Sequence, residues 1–293
     1  MTNTNAAQGG YASKRKAANV AVYIILSVMS VIWIFPIFWL LMQSFRGEKG
    51  AIVPYVFPKQ WTFSNYTRLF NDPDITEAFP YGKWFLNTLI VAIFSCLIST
   101  FIVLMVSYAF SRLRFKSRKT FLNLGLILGM FPGFMSMAAT YNIMKAFHIE
   151  GTLGALVIVY SAGAGLGYQV AKGYFDTVSR SLDEAAMIDG ATRSQIFYKI
   201  ILPLSKPIIV YTALTTFIGP WTDYIFVSYF MLDDKENYTV AAGLVQLTNA
   251  TTMYDYFTLF CAGAVLVAIP ITILFVIMQK FYVAGVTGGA VKG

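Results

Sequence analysis

Long apolar runs separated by short polar segments dominate the chain. Six of them, Val20–Met42, Phe85–Ser111, Thr120–Met144, Thr152–Ala171, Pro207–Leu232 and Phe257–Gln279, stand out. Each reaches the length at which a helix crosses a bilayer, about 20 mostly apolar residues. Five contain no Asp, Glu, Lys or Arg, and Asp223 is the one exception in the run from Pro207. The pattern predicts an all-α integral membrane protein with six transmembrane helices.

Lys and Arg are spread unevenly around these runs. With the N-terminus inside, 15 basic residues face the cytoplasm, among them Lys14, Arg15, Lys16, Arg112, Arg114, Lys116, Arg118 and Lys119. Only 7 face outward: Arg46, Lys49, Lys59, Arg68, Lys83, Lys145 and Lys235. Positive charge favours the inner side, so both termini (1–19 and 282–293) are expected in the cytoplasm. The transmembrane domain then covers 20–281, with a cytoplasmic insert at about 173–206.

That insert is polar and rich in small residues. Ser181-Leu182-Asp183-Glu184 and Thr192-Arg193-Ser194-Gln195 both fit capping boxes, in which two end N–H groups are satisfied reciprocally. Gly190 lies between them, where a helix end favours a residue tolerant of positive φ. Pro203 and Pro207 are expected to end the second helix and start the fifth span. The insert thus predicts a short helix, a turn and a second short helix. Met187, Ile188, Ile196 and Phe197 form an apolar group beside the small Ala185 and Ala186, which suggests an interface. The alternative is an amphipathic segment lying on the bilayer.

Composition narrows the class. Only 12% of residues are charged and mean hydropathy is +0.62, whereas soluble domains carry about 25% charged residues. The net charge of +8 follows the membrane pattern, so no nucleic acid is expected. The first apolar run is too long for a cleavable signal peptide and lacks a small-residue cleavage site. Cys96 and Cys261 both fall within apolar runs, and a single histidine, His148, rules out a multi-histidine metal site; it is expected at a membrane interface. No G-x-x-x-x-G-K-[S/T] phosphate cradle occurs, so no nucleotide hydrolysis is expected of the chain itself. The glycines at 163–167, with Gly125 and Gly129, are expected to pack helices together.

Two outer segments are unequal. Residues 46–83, rich in Pro and aromatics, are expected to form a partly ordered cap or a set of interfacial anchors; Asp233 to Tyr256 form a second loop. Within the spans, Asp223 is the default functional group, since a buried charge there costs about 2.5–3.5 kcal/mol. It stands 16 residues past Pro207, roughly 24 Å along a helix. An interfacial carboxylate is the competing reading. Trp221 and Tyr224 beside it suit stacking on sugar rings. Tyr160, Ser161, Tyr168, Gln169, Tyr141 and Asn142 offer further polar tips, for a pathway or for helix packing. Pro36, Pro132, Pro220 and Pro270 are expected to break spans one, three, five and six.

Glu184-Ala185-Ala186, then Gly190, then Ile200-Ile201-Leu202-Pro203 resembles the coupling-loop motif of permease subunits in binding-protein-dependent ABC importers. The phrases Asn87-Thr88-Leu89 and Tyr108-Ala109-Phe110-Ser111-Arg112, with the ending Gly285 to Gly293, are similar to the carbohydrate branch, of the maltose-transporter (MalG) type. The resemblance covers the chain from the first span to the last residue. It implies the ABC importer type I permease fold. It further implies that Glu184, Ala185, Ala186, Asp189, Gly190, Ile200, Leu202 and Pro203 couple to a cytoplasmic ATPase, with Glu184 as polar anchor. Thr287, Gly288, Gly289 and Lys292 would reach between two ATPase subunits. Gln246, Thr248, Asn249 and Thr251 would probe an extracytoplasmic solute-binding protein. Trp221-Thr222-Asp223-Tyr224 is similar to the branch's Trp-Asn-Asp/Glu-aromatic pattern, with Thr222 departing from it.

The implied partners are a second homologous permease, two ATPase copies, the binding protein, the lipid bilayer and an oligosaccharide, maltodextrin-like or acidic as in alginate. ATP and Mg would be bound by the ATPases, and no cofactor by this chain. Two rivals remain open: an importer for a non-sugar solute such as phosphate or peptide, and an ATP-independent secondary transporter. The latter would need several intramembrane carboxylates or histidines, and only Asp223 is available.

Overall fold

The computed structural model describes the backbone of residues 4–290 except 52, 132 and 233, and, with the same three exceptions, the side chains of residues 19–281. Among the described residues there is no strand, only an isolated bridge between Arg46 and Trp61. The helices in chain order are α1 Thr4–Ser44, α2 Ser64–Asn71, α3 Pro73–Ala78, α4 Tyr81–Arg112, α5 Arg118–Gly129, α6 Gly133–Ala146 and α7 Leu153–Ala164. They continue with α8 Tyr168–Thr177, α9 Arg180–Ile188, α10 Arg193–Leu204, α11 Lys206–Thr222, α12 Ile225–Met231, α13 Val240–Gln246 and α14 Met253–Ala290.

Four helical stretches are long and apolar enough to cross a membrane unaided: Asn19–Ser44, Tyr81–Arg112, Leu153–Thr177 and Met253–Phe281. The other two spans are interrupted. The third is the pair α5 and α6, bent by 103°. The fifth is α11 followed, after a break at Asp223, by α12. The fourth runs past the expected Ala171 to Thr177, with a 3-10 turn at Gly165–Gly167. Pro36, Pro220 and Pro270 lie inside continuous helices rather than at breaks. A proline removes one backbone donor, and a helix tolerates that loss wherever neighbours satisfy the freed carbonyl. Pro132 lies outside the described residues.

α4 is the mast of the bundle. Its 32 residues reach about 48 Å at 1.5 Å per residue. Thr88, Ala92, Ser95, Ser99, Val103, Ser107 and Ser111 recur three or four residues apart and are all buried. Leu86, Phe94, Leu97 and Phe101 point outward. Lipid is as apolar as leucine, so no hydrophobic force drives helices together there; small and hydroxyl-bearing residues go inside because they allow close approach. α7, α8 and α11 pack on this stripe.

The glycines expected to pack divide in two. An added Cβ at Gly125 would run into the Tyr168 ring, and one at Gly165 would touch Ile102 at 3.6 Å. Gly129, Gly163 and Gly167 have open space instead. Small residues here serve contact in some places and leave room in others.

The segment 46–83 is an ordered cap. Asn65 Nδ2 donates to the carbonyls of Ser44 and Arg46 at 2.9 and 2.8 Å, and Thr258 Oγ1 donates to Asn65 Oδ1 at 3.1 Å. Arg46 is fully buried and its guanidinium donates to the Gly50 carbonyl. Trp61 and Phe63 remain exposed, so the aromatics divide between cap core and surface. The Gly50 N–H donates to the Tyr254 carbonyl at 2.9 Å, and Lys49 pairs with Asp255 at 2.7 Å, so the two outer segments form one surface. The hydrogen bond and the opposite charge of Asp255 hold the Lys49 ammonium above its ordinary range.

Candidate coupling insert and transport cavity

The insert is two helices joined by a tight turn. α9 starts at Ser179, whose hydroxyl accepts from Ser181 N–H. The cap expected at Ser181 is therefore displaced by two residues, and Glu184 is free of it. Glu184 makes no hydrogen bond or ion pair among the described residues. The second box forms as expected: Thr192 Oγ1 accepts from Gln195 N–H at 3.3 Å, and Gln195 Oε1 accepts from Thr192 N–H at 2.8 Å. Gly190 has φ +83° and turns the chain between them. A side chain there would be strained whatever the space around it.

The second helix does not end at Pro203. It passes through a π turn at Phe197–Ile201 and stops at Leu204, after which the chain bends by 83° into α11. A π turn widens the helix by one residue, which accommodates a proline that can neither donate nor tolerate the carbonyl four residues back.

Burial sorts the insert's residues. Ala186, Ile196, Phe197 and Ile201 face inward onto Val103, Leu104, Tyr108, Phe175 and Ile208. Ala186 thus belongs to the inner face, and so do Ile196 and Phe197, which were expected on the interface. Ile200 and Leu202 pack partly against the same core. Glu184, Ala185, Met187, Ile188, Asp189, Gly190 and Pro203 are exposed. Ile188 is 86% exposed, an apolar side chain pointing away from the bundle and covered by none of the described residues. Two capped helices with a rigid inner face and an apolar outer tip form a lever able to seat in another surface.

A cavity of about 540 Å³ lies between α6, α7, α11 and α12. That is the size of a small-molecule site, roughly 300–1,000 Å³. Its polar lining is Ser99, Ser136, Thr140, Tyr160, Thr215, Thr216 and Asp223, and Asp223 is the one charged residue among the lining residues. The helix break makes this carboxylate do two things. Oδ1 accepts from Phe226 N–H at 3.0 Å, capping α12, and Oδ2 accepts from the Tyr160 hydroxyl at 3.1 Å. Asp223 and Tyr160, 63 residues apart, meet at one wall. Phe134, Met137, Val159 and Phe226 supply apolar surface.

Trp221 is elsewhere. It is 2% exposed and packs against Phe85 and Phe217 at ring separations of 5.2 and 5.9 Å. A ring so enclosed offers no face for a sugar to stack on, unlike the exposed aromatic expected from the sequence. Tyr224 is exposed and does not line the cavity. Trp221→Ala is therefore expected to act on stability, costing about 3–5 kcal/mol. A fall in the thermal unfolding midpoint in detergent would register it. An unchanged midpoint with uptake lost would restore a substrate role.

The outer loop holds a buried helix that periodicity did not predict. α13 packs its Gly243 on Trp84, while Val240 N–H donates to Thr88 Oγ1 at 2.7 Å. Trp84 Nε1 donates to the Lys235 carbonyl at 2.7 Å, and Asn87 Nδ2 to those of Glu236 and Tyr238 at 3.0 and 3.1 Å. Beyond α13, Asn249 and Thr251 are exposed, while Gln246 and Thr248 are half-buried. In the C-terminal segment, Thr287, Gly288 and Gly289 fall within the backbone of α14. Their side chains, and Lys292 altogether, lie outside the described residues.

Residues 9–288 match the profile of a family described as the binding-protein-dependent transport system inner membrane component. The chain belongs to this family. Among curated relatives, the galactooligosaccharides transport system permease protein GanQ of Bacillus subtilis (strain 168) is 36% identical, covering 92% of this chain and 94% of its own. The maltodextrin transport system permease protein MalD of Streptococcus pneumoniae (strain ATCC BAA-255 / R6) is 36% identical over 96% and 98%. The maltose/maltodextrin permease MalG of Photorhabdus laumondii subsp. laumondii is 32% identical over 94% and 96%. The fold is shared with a bacterial ABC transporter involved in import of the acidic polysaccharide alginate, at a TM-score of 0.75, 21% identity and coverage of 92% and 98%. As a member of this permease family the chain is a multi-pass inner-membrane component. The relatives are named as permease proteins of transport systems.

The sequence did not single out four positions that the structure places at these sites: Arg112 beside Asp183, and Thr215 and Thr216 on the cavity wall. Arg112 reads there as one more positive-inside residue. A threonine pair within a span is a faint signal for a polar wall.

Proposed function

We propose that this chain is the permease subunit of an ATP-driven importer of oligosaccharides. It pairs with a second permease, receives solute from an extracytoplasmic binding protein, and is driven by two cytoplasmic ATPase subunits that bind ATP and Mg. The observation that carries this reading is the insert: a capped two-helix protrusion whose inner face is core and whose outer face presents Ala185, Met187, Ile188 and Glu184, the last unpaired among the described residues. The tail residues Thr287, Gly288, Gly289 and Lys292 would add ATPase contacts, and Gln246, Thr248, Asn249 and Thr251 contacts with the binding protein. In this reading the insert and both termini face the cytoplasm.

An oligosaccharide is favoured because three relatives above 30% identity are named for galactooligosaccharides, maltodextrin and maltose. The cavity's hydroxyls, set in largely apolar walls, suit a solute with polar edges and apolar ring faces. Proteoliposomes holding the permease pair, the ATPase and the binding protein should take up maltodextrin or galactooligosaccharide only with ATP inside. Uptake without ATP would favour a secondary transporter instead.

The cavity wall makes its own prediction. Asp223→Ala removes the α12 cap and strands the Tyr160 hydroxyl, a loss of about 1–2 kcal/mol or roughly tenfold. Uptake should fall by that order while the ATPase still co-purifies. Normal uptake would put the pathway in the partner permease.

A further inference from the structure

Besides its bend at Ser205 and the apolar packing of its inner face, the insert meets the bundle at a polar joint centred on one arginine. Arg112 ends α4. Its Nη1 lies 3.3 Å from Asp183 Oδ2 of α9, with both side chains largely buried. Its Nη2 donates to the carbonyls of Phe175 and Val178 at 2.8 and 2.7 Å. Those two carbonyls close α8, where helix ends leave acceptors without intrahelical donors. One guanidinium thus binds α4, α8 and α9 at once, which its fixed fork of donors permits and an ammonium does not.

Neighbours reinforce the joint. Ser111 Oγ donates to Asp176 Oδ1 at 2.6 Å, Arg180 Nη2 donates to the Ser111 carbonyl at 3.3 Å, and the Tyr108 hydroxyl donates to the Arg193 carbonyl at 3.2 Å. An arginine present only to set membrane orientation would sit in water, as exposed Arg114, Lys116 and Lys119 do. Arg112 and Asp183 do not, and burying such a pair is costly unless its geometry is held.

We propose that Arg112 is a positioning residue that makes the insert and the inner end of α4 move as one body. Displacement of the insert then reaches the cavity along α4, whose Ser99 lines it about 20 Å from Arg112 at 1.5 Å per residue. This rests on the coupling function proposed above.

The test uses the complete transporter in proteoliposomes, with sugar uptake and ATP hydrolysis measured on the same vesicles. Arg112→Gln is expected to keep the ATPase bound and hydrolysing, while uptake per ATP falls about tenfold. Asp183→Asn, which leaves both carbonyl bonds, should lower the ratio by a smaller factor, and Arg112→Lys should fail to restore it fully. Spin labels at Ser181 and Leu97 should hold one narrow distance with and without ATP in the parent, and a broad one in Arg112→Gln. An unchanged ratio with a narrow distance in the assembled variants would overturn the proposal, as would loss of ATPase binding in all three. If Arg112→Gln alone fails to assemble, the ratio in Asp183→Asn and Arg112→Lys decides. A parent that shows no ATP-dependent uptake sinks the coupling function itself, whereas the label distances still report on the joint.

Discussion

Glu184→Lys should abolish ATP-driven uptake while leaving the protein in the membrane. Glu184 is exposed on α9 and has no partner among the described residues, so its loss leaves none of them unsatisfied. If an ATPase cleft encloses it, reversal places a cation where a carboxylate was bound. Disrupting a buried charged contact at an interface costs about 2–5 kcal/mol, or thirty- to several-thousandfold in affinity. Co-purification of the ATPase and stimulation of its hydrolysis by the loaded binding protein should both disappear. Retention of both would refute the docking role. Ala185→Trp, which enlarges the same outer face, should act in the same direction, whereas Ala186→Trp should instead unfold the insert.

Gly243→Val should prevent α13 from seating at the outer end of the bundle. A Cβ at that position would overlap the indole of Trp84. Trp84 is fully buried and tied to Lys235, so it has no room to retreat. Overpacking of this kind costs about 1–3 kcal/mol and more where the neighbour is rigid. The expected result is a lower unfolding midpoint and faster proteolysis within 233–256, with the insert unaffected. An unchanged midpoint would mean that α13 does not pack on α4 in the membrane. Gly190→Val makes a contrasting case. It has open space around it, but its φ of +83° would force strain of about 1–3 kcal/mol on any side chain, felt as loosening of the insert.

The two short phrases at the ends of α4 turn out to be docking points. Asn87 and Thr88 hold the outer segment 235–240, and Tyr108, Ser111 and Arg112 hold the insert. Neither role is legible from residue type, because a hydroxyl or amide in an apolar run has many partners open to it. Trp221 shows the converse error: an aromatic beside a carboxylate reads as a binding face, and only packing reveals it as core. Asp223 was legible as a candidate by its cost within a span. Its pairing with Tyr160 was not.

What the sequence determined by itself was whatever depends on local chemistry: apolar length for the spans, Thr192 and Gln195 for a helix start, and Gly190 for a left-handed turn. Those signals act over a few residues, so periodicity and residue type suffice. Tertiary structure alone decided that the fifth span breaks at Asp223, that α13 is buried, which face of the insert is outward, and that Arg112 grips Asp183. Each of these depends on groups far apart in the chain, and in a bilayer nearly every helix surface is apolar. Hydrophobicity therefore cannot say which face meets a neighbour; small residues and the few buried hydrogen bonds do, once the helices are side by side.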